Sequence, residues 1–304
     1  MTSKYETEPN LDDRNTSHAL IAELVGPDKR VLDVGCAAGN LAEVLTGRGC
    51  RVTGIELDPE AARRAEERCE RVIVGDVERL DLGAELDEGS FDVVLFGDVL
   101  EHLKDPLQTL KRLTPFLRAE GYVVASIPNV AHGSVRLALM QGRFRYRSLG
   151  LLDDTHLRFF TRESVEQLFK DAGFLITELR RTTRGIFDTE IEIDRELVPD
   201  EVRRLVEEDP EASTYQFVLT AHRFGEAGML AQNIRLLAEQ IAKRDRIIYE
   251  LNRKLRNFED LQRLLDDRTK QLAEKEQEVA ELSQEVAERN DRLGRLVQFG
   301  KEDA

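Results

Sequence analysis

Apolar positions along the chain fall into two regimes. In the first, short compact apolar runs recur at Arg30–Val34, Arg51–Ile55, Arg71–Val74, Phe91–Phe96 and Gly121–Ile127. Runs of this length, rich in β-branched residues and bounded by glycine or acidic turns, predict strands. Between them, apolar residues three and four apart predict helices at Ser17–Val25, Gly39–Thr46, Pro59–Cys69 and Pro106–Leu117. Strands alternating with helices in this way predict a parallel sheet covered on both faces. After Ile127 the rhythm changes, and Asn129–Gly150 mixes helix signals with several arginines. A helix follows at Arg162–Ala172, ended by Gly173, then a strand at Phe174–Arg180. A last strand, Thr214–His222, lies beyond the acidic stretch Asp188–Glu211, and its direction is not fixed by the pattern.

The second regime begins near residue 226, where proline disappears and Glu, Gln, Lys, Arg and Leu dominate. From Leu230 the apolar positions Ile234, Leu237, Ile241, Ile248, Leu251, Leu255 and Phe258 step by threes and fours, interrupted at Arg244. The series resumes at Leu261, Leu265, Leu272, Val279, Leu282, Val286, Leu293 and Leu296 after a repeated step of three, a stammer. Arg268, Lys275 and Arg289 weaken this second part of the seam. The pattern predicts a coiled-coil helix of about 65 residues and about 100 Å. A lone helix cannot bury its own stripe, so a parallel homodimer is the first expectation and a hetero-partner the second. A solvated single helix, rich in its own ion pairs, stays open as the plainer reading. The expected organisation is an N-terminal segment at 1–27, an α/β domain at 28–225, and a coiled coil with tail at 226–304.

Charge changes this picture only modestly. The 304 residues carry a formal net charge of −15, nearly all of it in the first regime. A net acidic surface repels phosphate backbones, so nucleic acid is not an expected partner. Cys36, Cys50 and Cys69 form neither a CxxC pair nor a cluster with histidines at zinc-ligand spacing. No metal is therefore expected, and scattered cysteines suit a reducing cytoplasm. Met1–Asn15 is polar and acidic, and no window reaches the length of a membrane span.

The chemistry concentrates where strands end. Val31-Leu32-Asp33-Val34-Gly35-Cys36-Ala37-Ala38-Gly39-Asn40 carries an apolar strand into a glycine-turned loop and delivers Asp33 to the sheet's carboxyl edge. The second strand ends in Glu56, at the usual interval for an acid that accepts from ribose hydroxyls. The third ends in Gly75-Asp76, a second acceptor at the same edge and a natural partner for an adenine amino group. A nicotinamide-dinucleotide fingerprint laid on Gly35 fails at Ala37 and Asn40, and Asp33 would repel a pyrophosphate. For Glu56 or Asp76 alone, a helix cap or solvated loop acid is the better reading. Both together after this loop are not.

These residues resemble the class I S-adenosylmethionine-dependent methyltransferases over about residues 28–182. The fourth and fifth segments, Phe91–Leu103 and Leu117–Asn129, match in order. The resemblance implies a doubly wound, mostly parallel, seven-stranded Rossmann-like sheet with S-adenosylmethionine as cofactor. It assigns cofactor binding to Asp33, Gly35, Ala37 and Gly39, then Glu56, then Asp76, with Cys36, Leu57, Val77 and Phe96 completing the expected set. Ala37 departs from the family's usual glycine and narrows the loop.

The acceptor is less legible. Asp98, two residues beyond the fourth strand, His132 after Pro128-Asn129-Val130-Ala131, and His156 in Asp153-Asp154-Thr155-His156-Leu157-Arg158-Phe159-Phe160-Thr161 are the candidate catalytic groups. For each histidine a capping or loop-anchoring role is the competing reading. His102, in Leu-Glu-His-Leu, reads as structural. Arg136, Arg143, Arg145 and Arg158, with Arg147, suit an anionic acceptor or an ordinary solvated lid. The stretch Ile127–Phe174 resembles methyltransferases of bacterial surface-polysaccharide and sugar biosynthesis and, more distantly, quinone-pathway O-methyltransferases. The resemblance implies O-methylation of a sugar or phosphorylated glycan, with a quinone-pathway or other small-molecule acceptor as the alternative. A catalytically silent scaffold is the reading from a different class, and the set Asp33, Glu56 and Asp76 argues against it.

Overall fold

The computed structural model describes residues 11–225 and, in the C-terminal stretch, 237, 240–256, 262–263, 265–275, 277 and 284. The chain divides into two compact units, Met1–Arg235 and Leu236–Ala304. In the first unit seven strands form one sheet: β1 Arg30–Val34, β2 Arg51–Glu56, β3 Arg71–Val74, β4 Phe91–Gly97, β5 Leu117–Pro128, β6 Phe174–Thr183 and β7 Thr214–Arg223. Their order is β3-β2-β1-β4-β5-β7-β6. Strands β1 to β5 pair in parallel, and β7 runs antiparallel between β5 and β6. The order reverses between β1 and β4, which opens a crevice at their carboxyl ends.

Helices α1 Ser17–Val25, α2 Asn40–Thr46, α3 Pro59–Ala65, α4 Leu82–Glu85, α5 Pro106–Leu113, α6 Gly133–Met140, α7 Arg162–Asp171 and α8 Asp200–Glu207 complete the unit. Their starts follow local chemistry. Thr16, Asp58, Asp105 and Thr161 each accept a backbone N–H of the turn they cap. The helix expected to reach Cys69 ends at Ala65, where Arg68 turns back to the Ala38 carbonyl and Asn40.

Strand alternation sorts β1 between two cores. Leu32 and Val34 join Val94, Phe96, Phe116, Phe169 and Phe217 on one face. Val31 joins Val93, Leu95, Leu45 and the α1 residues Ile21 and Val25 on the other. Helix α1 therefore closes one face of the sheet beside β4, β5 and β7. That placement sets what reaches the crevice.

In the second unit residues 240–256 and 265–275 are helical. Ile241, Ile248, Leu251, Leu255, Leu265 and Leu272, all members of the expected seam, are exposed on it. Ile234, Phe258, Leu261, Val279, Leu282, Val286, Leu293 and Leu296, and with them the stammer, lie outside the described residues. Among the described residues no helix is long and apolar enough to cross a membrane.

Candidate active site

The loop after β1 is held by backbone geometry. Gly35, Ala37 and Gly39 all take positive φ, at 73°, 48° and 80°. The Gly35 and Cys36 amides converge on the Ile55 carbonyl at 2.7 and 3.2 Å. A side chain at Gly35 would strike Val99, with a Cβ 2.6 Å from its Cγ2, so only glycine lets the loop pass. At Gly39 a Cβ would lie 3.1 Å from the Ala65 backbone. That glycine serves helix packing and does not line the crevice.

Glu56 locks the loop to β2: its carboxylate accepts the Ala37 amide and the Asp58 amide, both at 2.8 Å. Asp76 accepts the Glu78 amide at 2.9 Å, with Arg79 at 3.5 Å. Asp33 is different. It is 3% exposed, and its Oδ2 has no hydrogen-bond partner. Burial, and then the charge of Glu56, push its carboxyl up to about 7. A buried acceptor left open in this way costs folding free energy unless a donor arrives from elsewhere.

Asp33, Glu56 and Asp76 line a single cavity of about 570 Å³ at the carboxyl edge, within the size range of small-molecule sites. Its other side carries Asp98, His18 and His102, with Ile21, Leu41, Val99, Leu103 and Leu149 as apolar wall. Half-buried Asp98 accepts from Ser126 Oγ at 2.9 Å and Gln216 Nε2 at 2.8 Å. Burial raises its carboxyl, against those bonds and the charges of His18 and His102. His18, on α1, is lowered by burial, against the charge of Asp98.

Residues 13–179 match the family described as a methyltransferase domain. The chain belongs to that family. The ubiquinone biosynthesis O-methyltransferase of Psychrobacter arcticus is 31% identical over 165 residues, a match that spans 53% of this chain and 64% of that protein. The protein of the same description from Xanthomonas campestris pv. campestris strain B100 is 30% identical over 184 residues, spanning 57% of this chain and 77% of that one. A solved S-adenosylmethionine-dependent methyltransferase from Archaeoglobus fulgidus aligns with a TM-score of 0.48 at 18% identity, over 68% of this chain and 94% of that one.

S-adenosylmethionine is the methyl donor expected of a methyltransferase domain, and the cavity suits it. The orphaned Asp33 oxygen offers an acceptor for an ammonium, and Glu56 and Asp76 keep lone pairs beyond their backbone bonds for hydroxyl and amino donors. Gly35, Cys36, Ala37, Leu57 and Val77 line the same space. Phe96, expected among them, is instead 0% exposed in the core, because it pairs with Val34 and shares that strand face.

The acceptor candidates separate. Asp98 faces the cavity. His132 does not: it is fully buried as the N-cap of α6, with Nδ1 accepting the Ser134 amide and Nε2 against the Arg184 carbonyl at 3.1 Å. His156 lies behind His102, ring centroids 4.8 Å apart, outside the cavity lining. None of the arginines lines the cavity. Arg136 binds Asp209 at 2.6 Å, Arg145 and Arg147 share Glu192 at 3.1 and 2.6 Å, and Arg158 donates to the Lys104 carbonyl. Arg143 borders a small separate hollow. Sequence reasoning missed His18 altogether. The spacing of His18 and Ile21, one turn apart on one helix face, was the available signal, but the face's destination was not.

Proposed function

We propose that the protein transfers a methyl group from S-adenosylmethionine to a hydroxyl oxygen of a small aromatic, quinol-type acceptor. The observation that carries this is the single cavity in which the cofactor acids face Asp98 and His18 across an apolar wall free of arginine. The relatives named as ubiquinone biosynthesis O-methyltransferases support the same acceptor class. A phosphorylated glycan, the first expectation from sequence, loses its support because none of the arginines offered to it lines the cavity, and Arg136, Arg145 and Arg158 are engaged by Asp209, Glu192 and the Lys104 carbonyl.

When bound, the cofactor supplies a methyl carbon activated by its positive sulfur. The chain's task is to align the acceptor oxygen and exclude water. Burial keeps His18 neutral, so an imidazole nitrogen can take the hydroxyl proton. Asp98, fixed by Ser126 and Gln216, stabilises the resulting imidazolium. Purified protein with methyl-labelled cofactor is expected to label a dihydroxybenzene acceptor on oxygen. Label passing only to a sugar nucleotide, a glycan or a protein overturns the proposal.

A further inference from the structure

Cys36 and Cys69 are far apart in sequence but meet in the fold. Cys36, in the loop after β1, is 5% exposed, and Cys69, just beyond the end of α3, is partly exposed. Both thiols lie over Gly54 of β2, the residue that pairs with Asp33. A Cβ at Gly54 would stand 2.4 Å from Cys36 Sγ and 3.5 Å from Cys69 Sγ, so the missing side chain leaves room for the pair. A hydrogen bond with Cys69, then burial, then the charge of Asp33, push the Cys36 thiol up. Cys50 is placed differently: it is buried, and its thiol donates to the Gly26 carbonyl at 3.4 Å.

The two thiols are carried by segments held in different ways. The Cys69 amide donates to the Ala65 carbonyl and the Glu70 amide to the Val52 carbonyl, both at 2.8 Å, which fixes Cys69 between α3 and β2. Cys36 belongs to the loop with positive φ at Gly35, Ala37 and Gly39, and it lines the cavity. Its carbonyl accepts the Gly39 amide at 2.9 Å, and the next amide, that of Ala37, is the one that fastens Glu56. A pull on Cys36 Sγ toward Cys69 therefore acts on the bond between the loop and Glu56. Arg68 already spans the same gap, with its guanidinium 2.8 Å from the Ala38 carbonyl and 2.6 Å from Asn40 Oδ1.

We propose that Cys36 and Cys69 form a reversible disulfide site, and that closing it withdraws the loop after β1 from its cofactor-binding form. Cys69, the more exposed of the two, meets the oxidant, for which hydrogen peroxide is the simplest. Its thiolate attacks one peroxide oxygen, the O–O bond breaks, and the second oxygen leaves as hydroxide, giving a sulfenic acid. The Cys36 sulfur then attacks that of Cys69, the S–O bond breaks, and the Cys36 proton leaves with the hydroxide as water. Two thiols are oxidised and one peroxide is reduced to two waters. The bond requires the sulfurs to close to about 2.05 Å, and with Cys69 fixed, the loop at Cys36 is what gives. Sequence spacing offered no signal of this pair, because Gly54 brings the two together only when β2 lies between the loop and the end of α3. The effect on the cofactor rests on reading this loop as the methyl-donor site; the disulfide itself does not.

The test treats the full chain with hydrogen peroxide, caps the remaining thiols with iodoacetamide, and reads the product by intact mass and peptide mapping. The expected product has lost two hydrogens, joins the Cys36 and Cys69 peptides, carries one cap on Cys50, and reverts with dithiothreitol. S-adenosylmethionine affinity, read by calorimetry, should fall about tenfold or more on oxidation and return on reduction. Cys69→Ser should bind the cofactor like reduced wild type and be unmoved by peroxide. Peroxide that adds oxygen to Cys69 without joining it to Cys36, or a bond that involves Cys50, overturns the site. A Cys36–Cys69 bond that leaves cofactor affinity unchanged overturns its control of the loop. A wild-type chain that forms the bond but binds no S-adenosylmethionine even when reduced would leave the disulfide standing and remove the methyl-donor reading.

Discussion

Two acids near the carboxyl edge of the sheet show how differently this fold treats buried charge. Glu211, just before β7, is met by Arg162 at 3.1 Å, by Arg181 at 2.7 Å and by the Thr214 hydroxyl at 2.7 Å. Burial alone would raise its carboxyl, but the bonds from Arg181 and Thr214 and the charge of Arg181 outweigh burial and bring it to about 2. Asp33, at the carboxyl edge, is more deeply buried and receives no such help, and it sits at about 7. The first acid is an internal brace. The second is an unfinished interaction that a ligand completes. The same contrast separates Arg136, Arg145 and Arg147, each paired with an acid, from the cavity itself, where Lys104 is the one lysine or arginine among the described lining residues.

The largest effect that tests this contrast is at Asp33. Asp33→Asn should weaken S-adenosylmethionine binding by about 2 kcal/mol, roughly thirtyfold, because a charge-assisted bond becomes a neutral one. Stability should hold or rise, since a buried carboxylate without a partner is removed. The sign with pH follows from the raised pKa: below about 7 the free carboxyl is protonated and must lose its proton to hold a cation. Wild-type affinity should therefore fall roughly tenfold between pH 7.5 and pH 6, with uptake of a proton by the buffer, while the Asn variant stays flat. Calorimetry in buffers of differing ionisation enthalpy reads both quantities. A variant that binds the cofactor as tightly as wild type would place Asp33 among the braces.

Glu211→Gln should do the reverse. Breaking a buried ion pair costs about 3–5 kcal/mol, and the arginines' exposure of a third or more reduces the expected loss to about 2 kcal/mol. Cofactor affinity should be unchanged. Because the folded pKa is depressed, this stabilisation is complete above pH 4.5 and is lost as pH falls toward about 2. Denaturant unfolding at pH 7 and pH 3 checks it: the gap between wild type and variant should narrow at the lower pH. A gap that stays constant would mean that Glu211 packs without bracing.

Why the sequence made one part of this edge readable and the rest not is visible in particular residues. Asp33 is the last residue but one of β1, Glu56 the last of β2, and Asp76 comes two residues after β3, so strand endings alone place all three at one edge. Phe96 also ends a strand, but residue parity decides its side: paired with Val34, it belongs to the core. His18 reaches the cavity only because α1 packs across β4, β5 and β7, a tertiary choice its own helix pattern does not encode. The arginines near residue 145 looked like an anion site because Glu192, their partner, lies in a stretch of irregular structure some distance along the chain. β7 could be found by alternation, yet its antiparallel insertion between β5 and β6 depends on pairing across distant segments. Local pattern marks a strand's end. Long-range pairing decides what a charge there is for.

The smallest effect lies in the loop after β1. Ala37 holds φ at 48°, where an alanine costs about 1 kcal/mol relative to glycine. Ala37→Gly relieves that cost, but the freer unfolded chain takes back about half or more of it. The net gain should be about 0.5 kcal/mol, a rise in Tm on the order of 1–2 °C. Asp98 takes a similar φ of 55°, though aspartate tolerates that region better, so the equivalent exchange there carries no comparable relief. The Ala37 amide is also the donor that fastens Glu56 at 2.8 Å. If Ala37→Gly raises Tm while cofactor affinity is unchanged, the strain at Ala37 is incidental to the brace between loop and β2. If affinity falls with Tm raised, the alanine's rigidity is what keeps Glu56 aligned for the cofactor, and the loop then belongs with Asp33 among the features held ready for a ligand.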